Sequence, residues 1–283
     1  MISLTDVRMK CVEGRFFSYD NWRDNLCVPP AILLIWVFVN LGWSGNAVSW
    51  LSGIVTIVGA FLISTKDSTL IFLGTCSYGL FYLLDYADGG VARYRKEAGI
   101  YGQYTDWIMH SISAISISTG IFAGAINQTH DIWLIPLGVL FILASSLQLD
   151  RYSLGWWSIC MQKQYNTSLN KVEFEGGFST ESAEVDTKGN RFWLGVKILS
   201  NAIFHENYAI FVFPLLALLN LLFPGSAVPD FRVLLVVLGG TVYFSFVVHD
   251  ILLIGSAKKL DKAYAKLFYS TKRPRLPAEH FFK

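Results

Sequence analysis

The chain has 283 residues, of which 53% are hydrophobic and only 16% are charged. Soluble domains usually carry about 25% charged residues, so this composition indicates a membrane protein. The net charge of +2 gives no reason to expect a nucleic-acid partner. The four cysteines have no C-x-x-C spacing and no paired framework, which argues against structural zinc and a disulfide scaffold.

The N-terminal region is expected over residues 1–45. Its first 28 residues mix basic and acidic side chains with no apolar core of the right length after the first charges, so we expect no cleavable signal peptide. We therefore expect the N-terminus to lie in the cytosol. The apolar run at 29–43, PPAILLIWVFVNLGW, is short for a membrane span. We interpret it as an interfacial or buried helix, and a seventh span is the alternative.

Six further apolar runs predict transmembrane helices, since about 20 apolar residues cross the hydrocarbon core. The sequence therefore predicts an all-α integral membrane protein with six transmembrane helices and an N-terminal interfacial helix. The membrane domain is expected over 46–256 and a basic cytosolic tail over 257–283. The predicted spans cover residues 46–65, 68–87, 104–126, 131–150, 206–224 and 231–255.

Lysine and arginine are distributed unevenly between the connections of these spans. Only Lys66 and Arg232 fall on the side opposite the two termini and the 88–103 loop. Short cytosolic segments are rich in basic residues, so the pattern places both termini and that loop in the cytosol. The polar stretch 162–192 is predicted to be a flexible cytosolic loop, and the tail to lie on anionic headgroups.

Three aspartates and a histidine stand at the facing ends of the second and third predicted spans. If the second helix continues through Asp88, then Asp85 and Asp88 share a face at i, i+3, as Asp106 and His110 do at i, i+4. A short loop joins the two helices, so we expect the four side chains to converge near the cytosolic surface. Crowded carboxylates repel, and a divalent cation relieves that repulsion. Oxygen ligands favour magnesium, calcium or manganese over zinc, and magnesium often adds substrate phosphates.

The residues between these acids fit a site for phosphate. Gly89 would let the backbone approach a ligand closely, and the guanidinium of Arg93 matches phosphate geometry. Gly102 would leave space at the opening of the third helix, where backbone N–H groups attract anions. The segment therefore predicts a metal site that handles phosphate.

The series Asp85-x2-Asp88-Gly89-x2-Ala92-Arg93-x8-Gly102-x3-Asp106 resembles the signature of the CDP-alcohol phosphotransferase family. The stretch GNAVSWLS at 45–52 is similar to that family's Pro-Asn-x-x-Thr opening, with Gly45 and Ser49 as variants.

The resemblance implies an enzyme that transfers a phosphoryl-alcohol group from a CDP-linked donor to an acceptor hydroxyl and releases CMP. It also implies two divalent ions, Mg²⁺ or Mn²⁺, at a cytosol-facing site, and a homodimer in the lipid bilayer. The implied metal ligands are Asp85, Asp88, Asp106 and His110. The implied donor-binding residues are Asn46, Asp88, Gly89, Ala92, Arg93 and Gly102.

The departure from the signature is His110, because the family motif ends in a fourth aspartate that serves as base and ligand. Imidazole accepts a proton near neutral pH, so we expect His110, with Asp106, to serve in catalysis. Imidazole is a poorer partner for magnesium, so we expect the second metal to be held more weakly or to be manganese. One alternative is a catalytically impaired homologue. Another is a cation or proton pathway, which predicts acids spread through the membrane and not gathered at one end.

The sequence does not identify the donor or the acceptor. The donor is either CDP-diacylglycerol, meeting a soluble alcohol, or a soluble CDP-alcohol, meeting diacylglycerol, and an inositol phosphate or a glycan is a further possible acceptor. The pairs His205-Glu206 and His249-Asp250 either line the acceptor pocket or cap helix ends. Arg151 either binds an acceptor phosphate or only follows the charge rule.

Overall fold

A computed structural model describes residues 2–13, 22–97, 99–148, 191–223 and 230–256. Arg151, most of the predicted polar loop and the basic tail lie outside the described residues. Within these ranges the regular structure is helical. The helices are α1 Leu4–Glu13, α2 Trp22–Asn40, α3 Gly45–Ile63, α4 Ser68–Tyr94, α5 Ile100–Thr129, α6 Leu134–Gln148, α7 Arg191–Phe204, α8 Glu206–Leu222, α9 Phe231–Leu238 and α10 Phe244–Ser256.

Four of the described helices are long and apolar enough to cross a membrane: α3, α4, α5 and the unit formed by α9 and α10. They match the first, second, third and sixth predicted spans. A π-helical segment, Gly239–Tyr243, joins α9 to α10. The helix α6 is too short to cross a membrane by length alone. The helices α7 and α8 are long and apolar enough only as a pair, and this pair is bent by 69°. The fourth and fifth spans, and the division into residues 1–45, 46–256 and 257–283, therefore stay predictions.

The helices α3, α4 and α5 pack closely through small residues. A side chain on Gly74 of α4 would come within 2.7 Å of the carbonyl oxygen of Gly59 on α3. One on Gly120 of α5 would come within 2.6 Å of the carbonyl oxygen of Ala60. Small residues at such positions let membrane helices approach backbone to backbone. The result is a compact unit in which α4 runs antiparallel to α3, and α5 runs parallel to it.

The N-terminal helices α1 and α2 are hydrogen-bonded to each other, and α1 is also hydrogen-bonded to the end of α4. The start of α1 is tied to the end of α2, because the amide of Ile2 donates to Asn40 Oδ1 at 2.8 Å and Trp36 Nε1 donates to the carbonyl of Ile2 at 2.8 Å. The Tyr94 hydroxyl, at the end of α4, donates to Asp6 Oδ2 at 2.7 Å.

The sequence did not indicate α1, and the structure starts α2 seven residues before the predicted 29–43 run and ends it at Asn40. The prediction covered only the strongly apolar run and left out the more polar residues before it. In the structure, Pro29 and Pro30 lie inside the helix. The interfacial position of this helix stays a prediction.

The opposite end of the bundle is organised around Arg232, which is 1% exposed. Its Nη1 donates to the carbonyl oxygens of Ile63 at 2.7 Å and of Thr65 at 2.6 Å, and its Nη2 pairs with Asp230 Oδ2 at 2.6 Å. The last carbonyls of a helix have no partner within that helix. Arg232 therefore supplies donors to the end of α3.

Candidate active site

The four residues of the predicted cluster are brought to one end of the bundle by α4 and α5. The helix α4 continues through Asp88 to Tyr94, so Asp85 and Asp88 lie on its last turns. The helix α5 begins at Ile100, which places Asp106 and His110 in its second and third turns. The predicted i, i+3 and i, i+4 relations therefore hold in the structure, and we call this end of the bundle the site end.

Three of these residues form a compact group of possible metal ligands. Nε2 of His110 shares a hydrogen bond with Asp85 Oδ1 at 2.9 Å and lies 3.6 Å from Asp106 Oδ1. One ligand atom from each residue lies within 4.8 Å of the other two. Adjacent ligands of an octahedral ion with bonds of about 2.1 Å are about 3.0 Å apart. The spacing and the donor types therefore fit a divalent cation, and all three side chains are partly exposed to solvent.

The imidazole of His110 packs against two aromatic rings of α4, which lie about one turn before Asp85. The ring of Phe81 meets it edge to face with centroids 5.1 Å apart, and the ring of Tyr82 lies 6.2 Å away. Edge-to-face pairs of this kind are favourable arrangements of aromatic rings. They constrain the position of the ring, whose Nε2 atom contacts the carboxylate of Asp85.

The structure places Asp88 differently from the other two aspartates. It is buried, and its Oδ2 accepts a hydrogen bond from the hydroxyl of Ser49 on α3. It does not belong to the group of three ligands found among the described residues. Its roles in metal and donor binding therefore stay predictions, whereas its hydrogen bond ties the signature on α4 to the start of α3.

Gly45 explains how α3 comes so close to the signature. A side chain at this position would lie 2.7 Å from Ala92 Cβ and 2.8 Å from the carbonyl oxygen of Asp88. Any residue larger than glycine would force the two helices apart. The variant position Gly45 therefore has a packing role at the signature, which the sequence resemblance alone did not assign.

The remaining residues of the predicted donor site lie around the carboxylates at the site end. The guanidinium of Arg93 lies over Gly89, since its Nη1 and Nη2 atoms would be 3.1 Å from a side-chain carbon at that glycine. Across the α3–α5 interface, Asn46 Oδ1 would be 3.4 Å from such a carbon at Gly102. The two glycines thus leave room beside a guanidinium and an amide, and donor binding by these residues stays a prediction.

Sequence reasoning missed the supporting residues Ser49, Phe81 and Tyr82. Ser49 was noted only as a variant of the family opening, and its partner Asp88 is 39 residues away. The aromatic pair precedes Asp85 by about one helical turn, and this spacing is the only signal that the sequence offered. Contacts with His110 on another helix depend on how α4 and α5 pack, which the spacing does not specify.

The residues proposed for the acceptor are found in other contacts. His249 stacks on Trp193 of α7 with centroids 3.9 Å apart and an interplanar angle of 16°, and Asp250 is buried beside it in the chain. His205 meets the ring of Tyr208 at 6.2 Å. The contribution of these pairs to acceptor binding stays a prediction.

No protein-family model and no curated protein sequence matches the chain at a significant level. Two crystal structures of phosphatidylinositol phosphate synthase from Mycobacterium tuberculosis are similar to it. The structure with CDP-DAG bound has a TM-score of 0.48 and 15% identity, and covers 86% of this chain and 97% of its own. The apo structure has a TM-score of 0.45 and 16% identity, and covers 79% of this chain and 95% of its own. Because both TM-scores are below 0.5, the functional assignment depends on the residues of this chain.

Proposed function

We propose that the protein is an integral membrane CDP-alcohol phosphotransferase. The observation that carries the proposal is the convergence of Asp85, Asp106 and His110 within 4.8 Å at the end of two membrane helices. The spacing of the signature residues also predicts this convergence. A cluster at one end of the bundle is also what separates this proposal from a cation or proton pathway, which needs ionisable groups along the depth of the membrane.

The proposed reaction exchanges one bond to phosphorus for another. The hydroxyl oxygen of the acceptor forms a bond to the phosphorus that carries the donor alcohol. The bond from that phosphorus to the bridging oxygen breaks, and its electron pair leaves with CMP. The hydroxyl proton passes to a base, and the two candidates for this base are Nε2 of His110, if it is not bound to a metal, and the carboxylate of Asp106.

The ligand set fits divalent ions, and we propose Mg²⁺ or Mn²⁺ with Asp85, Asp106, His110 and the predicted ligand Asp88 as their holders. Such ions would supply neutralisation of the diphosphate charge. The residues of the chain position the substrates around them. Arg93 offers a planar fork of donors to a phosphate, and the buried Asp88 is kept in register by Ser49.

The donor and the acceptor define the biological setting. We propose that a CDP-linked donor, either CDP-diacylglycerol or a soluble CDP-alcohol, binds at the site end beside Asn46, Gly89, Ala92, Arg93 and Gly102. The acceptor is an alcohol or a lipid, and the product is a phospholipid or a related phosphodiester. The site end and both termini are proposed to face the cytosol, and the active form is proposed to be a homodimer.

The test is a screen of donors and acceptors on the purified full chain in lipid nanodiscs. CDP-diacylglycerol, CDP-choline and CDP-glycerol are each incubated with Mg²⁺ or Mn²⁺ and a panel of alcohols, inositol phosphates and diacylglycerol, and CMP is measured by chromatography. We expect metal-dependent CMP release with one donor class. No release from any combination, with folded protein, would contradict the proposal and favour a catalytically impaired homologue.

A further inference from the structure

His110 gives the candidate metal group a nitrogen atom where the family signature has a carboxylate. We infer that Nε2 of His110 is a direct ligand of a divalent ion that it holds together with Asp85 and Asp106. We infer also that this nitrogen makes the centre favour manganese(II) over magnesium. The inference rests on the proposed function for the presence of a metal, and it goes further because it takes His110 out of the role of proton acceptor.

The position of the nitrogen supports a ligand. Nε2 lies 2.9 Å from Asp85 Oδ1 and 3.6 Å from Asp106 Oδ1, and adjacent ligands of one octahedral ion are about 3.0 Å apart. An ion between these atoms therefore needs only small side-chain movements. A nitrogen whose lone pair is bound to a metal cannot take a proton from the acceptor. That task then falls to a carboxylate, and Asp106 is the more exposed of the two, at 36% against 24% for Asp85.

The packing of the ring supports the same assignment. Phe81 meets the imidazole at an interplanar angle of 89°, and Tyr82 meets it at 67°. Swinging the imidazole out of this position would break both edge contacts. The aromatic pair therefore holds the ring beside the carboxylates before an ion arrives. A ligand held in advance in this way binds with a smaller loss of conformational freedom.

The chemistry of the three donors decides between the two ions. Magnesium prefers oxygen ligands in a nearly ideal octahedron and gives up its waters reluctantly. Imidazole suits transition metals, whereas carboxylates suit both magnesium and manganese. A group of two carboxylates and one imidazole therefore gives manganese an advantage that three carboxylates would not give. Zinc and copper bind such a nitrogen more tightly than either ion, so the preference for manganese is relative to magnesium.

Electron paramagnetic resonance of Mn²⁺ tests the ligand directly. The full chain in nanodiscs is loaded with Mn²⁺, and the electron spin echo envelope is recorded for nitrogen coupling. We expect ¹⁴N modulation in the wild type, ¹⁵N modulation in protein labelled with ¹⁵N-histidine, and neither in His110→Asp. Bound Mn²⁺ without histidine nitrogen coupling would overturn the inference. The labelled wild type answers the question even when the variant does not fold.

Competition between the ions tests the selectivity. Bound Mn²⁺ is displaced with Mg²⁺, and the Mg²⁺ concentration for half displacement is compared between variants. We expect half displacement from His110→Asp at a Mg²⁺ concentration about tenfold lower than from the wild type. Changes around a bound metal typically alter its affinity by about 10–100-fold, and this is the lower end of that range. His130→Asp, an exposed histidine at the far end of α5, should not differ from wild type. Equal values for wild type and His110→Asp would show that the nitrogen does not set the preference.

The CMP assay, run on the same samples, separates two kinds of failure. CMP release together with bound Mn²⁺ that shows no nitrogen coupling means that the ligand inference is wrong and the proposed function stands. The absence of both Mn²⁺ binding and CMP release from folded protein overturns the two together.

Discussion

The charged side chains at the two ends of the helix bundle differ in burial and in pairing. At the far end, Arg232 is almost fully buried, and its Nε, Nη1 and Nη2 atoms all donate hydrogen bonds, to Asp230 and to backbone carbonyls. At the site end, two carboxylates and an imidazole meet within 4.8 Å and stay partly open to solvent. The buried charge of Arg232 is paired and stabilises the fold, whereas we propose that the two carboxylates gathered in the accessible group bind a cation. The following variants challenge this distinction.

The largest effect is expected at the site end, on activity. Asp85→Asn removes one charge from the proposed metal group, and we expect CMP release to fall by about 10³-fold, the scale of losing one charge-stabilising group in phosphoryl transfer. Asp131→Asn, at an exposed aspartate after α5, is the matched control and should keep full activity. Comparable CMP release from the two variants would mean that Asp85 is not part of the catalytic centre.

At the far end, the effect is expected on stability. Arg232→Met leaves Asp230 and the last carbonyls of α3 without their donors, and breaking a buried pair of this kind costs about 3–5 kcal/mol. We expect a marked fall in the thermal unfolding midpoint in detergent, with CMP release per folded molecule preserved. Arg232→Lys should recover only part of the loss, because an ammonium group cannot reproduce the planar fork. An unchanged midpoint in Arg232→Met would remove the contrast between the two ends.

A packing change tests how closely the fold and the site are joined. Gly45→Ala places a carbon 2.7 Å from Ala92 Cβ and 2.8 Å from the carbonyl of Asp88, so α3 must move away from the signature. We expect a loss of about 1–3 kcal/mol in stability and a higher KM for the CDP-linked donor. Gly195→Ala on α7 is the control, because a side chain there meets nothing within 4 Å. A normal KM in Gly45→Ala would show that the site does not depend on this contact.

The smallest effect is expected at the contact between α1 and α4. The hydroxyl of Tyr94 donates to Asp6, and together with nearby Lys10 it lowers the pKa of that carboxyl below its usual value. The contact is therefore complete above the usual pKa of aspartate and is lost as the pH falls through the lower folded-state value. Tyr94→Phe should reduce stability only slightly, since the contact is partly open to solvent and is screened there. Tyr101→Phe, an exposed tyrosine, serves as the control, and the two unfolding midpoints should differ at pH 7 and converge in acid.

Helical periodicity was sufficient to predict much of the site, since Asp85 and Asp88 follow one helix and Asp106 and His110 begin the next. Residue spacing along a helix determines which side chains share a face. The role of Arg232 could not be predicted in this way. It stood out only as an exception to the charge rule, because its partners include the backbone carbonyl of Ile63, which is 169 positions away.

The elements that escaped prediction are short or only partly apolar. The helix α1 has 10 residues and α7 has 14, and isolated helices of this length are marginal without tertiary contacts. The sequence shows their residues but not the surfaces against which they pack. The same reason applies to Ser49, whose hydrogen bond to Asp88 depends on the crossing of α3 and α4.

The length of α4 has a consequence for how substrates of different solubility can meet. Its 27 residues extend for about 40 Å, whereas the hydrocarbon layer is about 30 Å thick. If α4 enters the hydrocarbon layer at Ser68, it emerges before its end, and its last two turns, Asp88–Tyr94, lie among the headgroups. In the proposed reaction, a water-soluble substrate would then reach these turns from the aqueous phase and a lipid substrate would reach them sideways from the bilayer, so neither would have to leave its own medium.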